Sequence, residues 1–377
     1  MRVSSVAVVG AGIVGAAIAR AAVAAGAQVT LVEAAALGTG TSGTSLAWLN
    51  SNQKLPRGYH DFSVRAMRAW RELAAELGDP DWYAPTGNLT WAVDDDERTA
   101  LAGTVARLRE WGYPATEPRS SNVSDLEPRL RVPAGAQVAY FPDEGFIHPV
   151  QAIDALVAFA RAGGARLVTG GGPAILEVDG SRVSGIRLGD GQRVRADAYI
   201  CCAGARTPHL LEPLGVRIPL VPGDASGSAA PGLVAHIATD RPLLARVVHA
   251  PELSVRPASP TGLRMDAADL NDRVDADTSP ADLDRYAQEL GDRAHRLLAG
   301  LPADAPVEAR LCVRPLPVDG LPIVGPVASH DNVYVVVAHS GVTLAALLAD
   351  LAVAEVVTGR YEPDLGPYRL ERFRPDH

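Results

Sequence analysis

Residues 6–34, VAVVGAGIVGAAIARAAVAAGAQVTLVEA, constrain this chain more than any other stretch. Alternating and β-branched apolar residues run into Gly10, a G-x-G-x-x-G pattern follows at Gly10, Gly12 and Gly15, and a helix of small residues leads to a second strand, 29–32, that ends on Glu33. Gly10 permits a tight turn, Gly12 lets backbone approach a pyrophosphate, and Gly15 lets helix and strand pack closely. The phosphates then meet the positive end of the helix dipole, where Ile13 and Val14 begin the helix. Glu33, about 20 residues beyond the glycines, is placed to accept hydrogen bonds from ribose hydroxyls. Strand, turn, helix, strand and terminal acid in one run specify a dinucleotide site, against the alternative of an ordinary βαβ unit with a Gly-rich turn. Which dinucleotide is bound is left to the rest of the chain.

A chain of 377 residues has room for two domains. A net charge of -9 argues against nucleic acid or an anionic membrane as the main partner. No long apolar run suggests a membrane span, and the apolar start lacks the basic region and cleavage site of a signal peptide, so a cytoplasmic location is expected. The three cysteines, Cys201, Cys202 and Cys312, form neither a disulfide framework nor a C-x-x-C metal pattern, and no metal site is expected. Lys54 is the only lysine.

After Glu33 the loop 37–56, LGTGTSGTSLAWLNSNQKLP, is dense in Gly, Ser, Thr and Asn, which supply turns and hydrogen-bond donors. Thr41, Ser42 and Gly43 are candidates to complete a pyrophosphate cradle, and Trp48, Asn50 and Asn52 to reach a flavin ring; the alternative is a solvated loop with one buried Trp. Lys54 is either a surface residue or a charge held near the cofactor. Helices are expected over 60–77, 95–111 and 280–298, with strands over 86–93, 137–141, 233–237, 253–256 and 263–265. The βαβ rhythm returns at 145–170, where His148 and Pro149 start a helix and 166–169 is a parallel strand. Hairpin signals separate strands 174–178, 183–188 and 192–195. Strand 197–202 carries Cys201 and Cys202 as core residues and runs into Gly204. From Arg310, RLCVRPLPVDGLPIVG precedes strand 333–337, which leads through His339-Ser340-Gly341 into a long apolar helix. The pattern predicts an α/β fold: a discontinuous Rossmann-like FAD-binding domain of residues 1–85, 145–220 and 309–377, and a second, sheet-containing α+β substrate domain of residues 86–144 and 221–308.

Together the fingerprint with Glu33, the Ser/Thr loop, ADAYICCAG at 196–204, RPLPVDGLPIVG and AHSGVTLA resemble the D-amino-acid oxidase-like flavoproteins, the group of glycine oxidase, sarcosine oxidase and the D-amino-acid dehydrogenases. The resemblance implies FAD as cofactor. By position, Gly10, Gly12, Gly15 and Glu33 would bind its ADP half, Thr41, Ser42 and Gly43 would lie near the pyrophosphate, and Gly204 near the adenosine half. Gly341, Val342 and Thr343 would present backbone N–H groups to the pyrimidine edge of the flavin. Arg314 matches an arginine that forks onto a substrate carboxylate, with a structural salt bridge as its competing role. Cys312 matches the cysteine that carries flavin covalently in sarcosine oxidase, although most relatives hold FAD without a bond. Thr343 stands where sarcosine oxidase has a carboxylate-binding lysine, and Trp48 and Asn50 replace basic residues, so another substrate is expected.

The implied reaction is oxidation of a C–N bond in an amino acid or amine by hydride transfer to flavin, with oxygen or another acceptor taking the electrons. His339 and His148 are candidates to tune the site, and Lys54 to assist oxygen. The alternatives are a flavin dehydrogenase of a hydroxy acid or polyol, and a non-catalytic FAD-binding subunit.

Overall fold

A computed structural model describes residues 3–225, 228–258 and 261–373. The fingerprint forms strand Ser5–Val9, helix Ile13–Ala24 and strand Gln28–Glu33. These anchor a six-stranded sheet in the order Ile323–Val327, His330–Val337, Ala198–Cys201, Ser5–Val9, Gln28–Glu33, Arg166–Thr169. All neighbours are parallel except the first pair, an antiparallel hairpin. Pieces far apart in sequence are thereby collected round the nucleotide turn. Because successive strand residues point to opposite faces, Val6 and Val8 enter a core with the helices while Ala7 and Val9 face the other way. On the helical side, Ala16, Ala17, Ala19, Ala21 and Ala22 make the fingerprint helix thin enough for helices Pro149–Ala162 and Gly341–Val356 to lie close. On the other side sits the meander Ile175–Asp179, Arg182–Arg187, Arg193–Val194, as the hairpin signals lead one to expect.

A second, seven-stranded sheet runs Val307–Val313, Pro231–Ile237, Leu263–Asp266, Leu253–Pro257, Val247–Ala250, Asn88–Ala92, Gln137–Phe141. Leu89, Leu233, Ala235, Val255, Leu263 and Met265 pack from one of its faces against helix Pro280–Leu297. The alternate residues on the opposite face are largely polar. The expected boundary at residue 309 falls inside edge strand Val307–Val313, whose seven residues pair with Pro231–Ile237, so Cys312 belongs to this sheet. A third sheet, Trp48–Leu49, Gly145–Ile147 and Tyr83–Ala84, stitches the loop after Glu33 to the rest. Its strands have two or three residues, too few to show a period in sequence. Among the described residues no helix is long and apolar enough to cross a membrane.

Candidate functional site

The nucleotide turn is as tight as its glycines allow. Gly10 has φ +104°, and a Cβ there would lie 2.6 Å from the Cys202 carbonyl oxygen. At Gly15 a Cβ would lie 1.8 Å from the Gly10 carbonyl oxygen, and at Gly12 3.0 Å from Ser42 Oγ. Ser42 Oγ accepts a hydrogen bond from the Ile13 N–H at 3.0 Å, so the Ser/Thr loop folds back onto the N-terminus of the fingerprint helix. Val14, next along, faces Gly341. Glu33 accepts from the Ala11 and Ala35 N–H groups at 2.9 and 3.0 Å, which holds the acid at the C-terminal end of its strand beside the turn. Thr41 donates to the Val313 carbonyl at 2.7 Å, Gly43 is tied by its carbonyl to Arg264, and Gly204 opens a 3-10 turn with φ +58° just beyond Cys202.

The same loop continues to the N-terminus of helix Gly341–Val356. Thr343 Oγ1 donates to the Trp48 carbonyl at 3.1 Å, and Val342 accepts from Trp70 Nε1 at 2.8 Å. Asn50 is buried beside Thr343. Lys54 Nζ donates to Ser340 Oγ at 2.7 Å, so the only lysine is drawn to this junction rather than left on the surface. Burial lowers its pKa to about 8, against the raising influence of Glu144. His339, exposed on the cleft wall, is held at about 4 by the surrounding protein and then by the charges of Arg314 and Lys54.

Glu144 organises this region, and no motif marks it. It is wholly buried and accepts from the Ser51 and Asn52 N–H groups, Trp48 Nε1, Asn88 Nδ2 and Tyr113 Oη, all at 2.9 to 3.1 Å. Burial raises it to about 7 while those hydrogen bonds oppose the shift.

The polar face of the seven-stranded sheet forms the opposite wall. Cross-strand register places Glu308, His236, Arg264 and Arg256 in one row, and Arg310, Val234, Asp266, Ser254, His249 and Thr90 in the next. Arg256 is buried and directs its donors to the Leu46 and Pro257 carbonyls, while Arg264 donates to the Gly43 carbonyl at 2.6 Å. Among the described residues neither has a carboxylate in ion-pair contact. Two like charges opposed across strands destabilise one another, and burial together with Arg264 pushes the Arg256 pKa well down. His148, beside Arg256, is lowered to about 4 by burial and then by Arg256 and Arg264. Trp48 and His249 bring the walls together, their rings 4.0 Å apart. Arg314, after the edge strand, donates to the Ala229, Ala230 and Pro231 carbonyls.

The sequence-derived residues therefore converge on one inter-sheet region. The reading missed Glu144, Ser254, Arg256, Arg264 and Asp266. For Ser254, Arg256, Arg264 and Asp266 the signal was alternation: LSVRP and LRMD each place polar side chains on one face and apolar ones on the other. The region suits a dinucleotide on its own evidence. The turn admits no side chain at Gly10 or Gly15, the first turns of two helices meet where Val14 faces Gly341, and Ser45 Oγ, Asn50 Oδ1 and Asn52 Oδ1 are buried without partners among the described residues. Buried polar atoms of that kind are normally hydrogen-bonded.

Comparisons with known proteins agree. Residues 5–355 match the family described as FAD dependent oxidoreductase. D-amino acid dehydrogenases from Methylobacterium nodulans and Methylobacterium sp. are 31% and 30% identical over 199 and 286 residues, covering 49% and 71% of this chain. The matches span 42% and 61% of those relatives, roughly half their length. Glycine oxidase from Pseudomonas aeruginosa is 28% identical over 382 residues, covering 96% of each chain. The structure of glycine oxidase from Geobacillus kaustophilus has the same fold, with a TM-score of 0.81 at 23% identity over 98% of this chain and 99% of that one. With the match running from the first strand to the last long helix, the chain belongs to the FAD dependent oxidoreductase family.

Proposed function

We propose that this protein oxidises the C–N bond of an amino acid or related amine. The observation that supports the reading is that the charge of Arg314 acts on His339, two residues before helix Gly341–Val356 begins. FAD, when bound, supplies the hydride-accepting ring. Gly10, Gly12, Gly15, Ile13, Glu33, Ser42 and Gly43 would hold its phosphate and ribose parts, and the amides of Gly341, Val342 and Thr343 would face the charge that develops on reduction. Backbone carbonyls engage Arg314 Nε and Nη2, so Nη1 is the donor that would hold a substrate carboxylate and orient the substrate. Trp48, in tilted ring contact with His249, would border the substrate.

Cys312 argues for FAD held without a covalent bond. A thiolate is needed to attack, whereas burial pushes this thiol up to about 11, Arg314 opposing and Asp266 adding, and its Sγ donates to the Thr44 carbonyl at 3.1 Å. Denaturation should therefore release the yellow colour from the polypeptide. Anaerobic mixing with glycine and both alanine enantiomers should bleach the flavin, and lactate or glycerol should not; the reverse pattern would establish a hydroxy-acid or polyol dehydrogenase. Lys54→Met should slow reoxidation by oxygen if the acceptor is oxygen, and an unchanged rate removes that role.

A further inference from the structure

The polar wall holds two opposite charges that do not neutralise each other. Arg314 directs its donors to three backbone carbonyls. Asp266 feels Arg314 electrostatically and is also lowered by the hydroxyl of Ser254, its cross-strand partner. Asp266 lies in the same cross-strand row as Ser254 and His249, on the face opposite the apolar core. The His249 ring touches Trp48 of the cofactor loop, their centroids 4.0 Å apart, and Cys312 lies within electrostatic reach of both Asp266 and Arg314.

The hydrogen-bond directions along the row follow from one another. Ser254 lies directly across from Asp266, and its single hydroxyl proton, directed to that acceptor-only carboxylate, accounts for the lowering influence Ser254 has on it. Ser254 Oγ then accepts from His249 Nδ1 at 2.9 Å, so the His249 proton is on Nδ1 and Nε2 is left with a bare lone pair. That Nε2 is buried and has no partner among the described residues. The wall thus offers an anionic oxygen and an unfilled imidazole acceptor close to a guanidinium. Acceptors of that kind fit an ammonium group, and the guanidinium fits the carboxylate of the same zwitterion.

We propose that Asp266 is the group that recognises the substrate's amine and takes a proton from it, with Ser254 and His249 holding its orientation. The proposal rests on the amine-oxidising reading above. One proton passes from the ammonium nitrogen to a carboxylate oxygen of Asp266, leaving a neutral amine and a carboxylic acid; no bond to carbon breaks in this step. The lone pair so freed makes the adjacent carbon a hydride donor. Burial raises Asp266 to about 6, with Ser254 and Arg314 opposing, which brings it toward the range where a carboxylate serves as a base. The groups that face it are Arg314, Cys312, Ser254 and, through Ser254, His249, with Arg264 on its own strand.

The test compares two probes of one carbon skeleton, alanine in both enantiomers and propanoate, binding to the FAD-loaded enzyme under anaerobic conditions, read by calorimetry and flavin absorbance. Wild type should bind its preferred alanine at least ~10-fold tighter than propanoate, and Asp266→Asn should abolish that preference while changing propanoate binding less than ~2-fold. Alanine binding should show an inflection near pH 6 that Asp266→Asn removes. Equal loss for both probes, or no loss for alanine, overturns the proposal. Should Asp266→Asn not fold, Ser254→Ala removes the bond that lowers Asp266, so the inflection should move up in pH; an unmoved inflection overturns it equally. A wild type that prefers alanine but is reduced by no amine overturns the oxidation reading and leaves the recognition role of Asp266 standing.

Discussion

A methyl group at Gly15 would sit 1.8 Å from the Gly10 carbonyl oxygen, and backbone cannot yield there without parting helix from strand. Gly15→Ala is expected to cost at least about 3 kcal/mol, beyond ordinary overpacking, and to yield colourless protein; urea unfolding and the absorbance of the purified chain measure both. Glu144 gives a second residue-scale expectation, through pH. Its folded-state pKa, about 7, stands above the ordinary value of 4.5, so its contribution to stability is fully present below 4.5 and is lost as pH rises through about 7. At 1.36 kcal/mol per pH unit this comes to about 3 kcal/mol between those limits. The difference in unfolding free energy between wild type and Glu144→Gln isolates this group from the histidines that titrate over the same interval, and it should shift by about this amount, against wild type, as pH rises from 4.5 to 7. The variant should also be less stable at low pH, because the amide's N–H₂ faces donors that an oxygen satisfied.

Among the elements, the fingerprint helix depends on a partner from outside its own segment. Gly12 has no side chain with which to cap it, and Ser42 supplies the acceptor for the Ile13 N–H. Ser42→Ala is therefore expected to cost about 1–2 kcal/mol in stability and about tenfold in FAD affinity, read by fluorescence titration. Element scale is also where sequence and structure can be compared most directly. The fingerprint, the C-terminal helix and strand Gln137–Phe141 were legible because period, glycine placement and length agree in each. Strand Val247–Ala250 was not, since VVHA carries no alternation over four residues and gains its place from pairing with Asn88–Ala92 and Leu253–Pro257. Strand Val307–Val313 alternates well, yet only pairing with Pro231–Ile237 shows which sheet it joins. Glu144 was illegible for another reason: its five donors come from separate segments, and nothing local to DEG announces them.

At the scale of the whole molecule, the loop after Glu33 ties the nucleotide-turn sheet to the seven-stranded sheet through contacts such as Thr41 to Val313 and Arg264 to Gly43. A ligand gripped from several separated segments should stabilise the folded state strongly. FAD at 100 times its dissociation constant should add ~2.7 kcal/mol, seen as a melting temperature that rises with FAD concentration. A concentration-independent melting temperature in apoprotein would contradict the shared grip. One feature of this architecture gives the molecule a built-in label. The chain carries a single side-chain amine, Lys54, and burial holds its pKa at about 8, so a good fraction is uncharged and nucleophilic in mildly alkaline buffer. A mild acylating reagent therefore has one lysine to mark, hydrogen-bonded to Ser340 where the C-terminal helix begins. The rate at which one acyl group's mass is added at that side chain then clocks how often the cleft opens, and FAD should slow that clock.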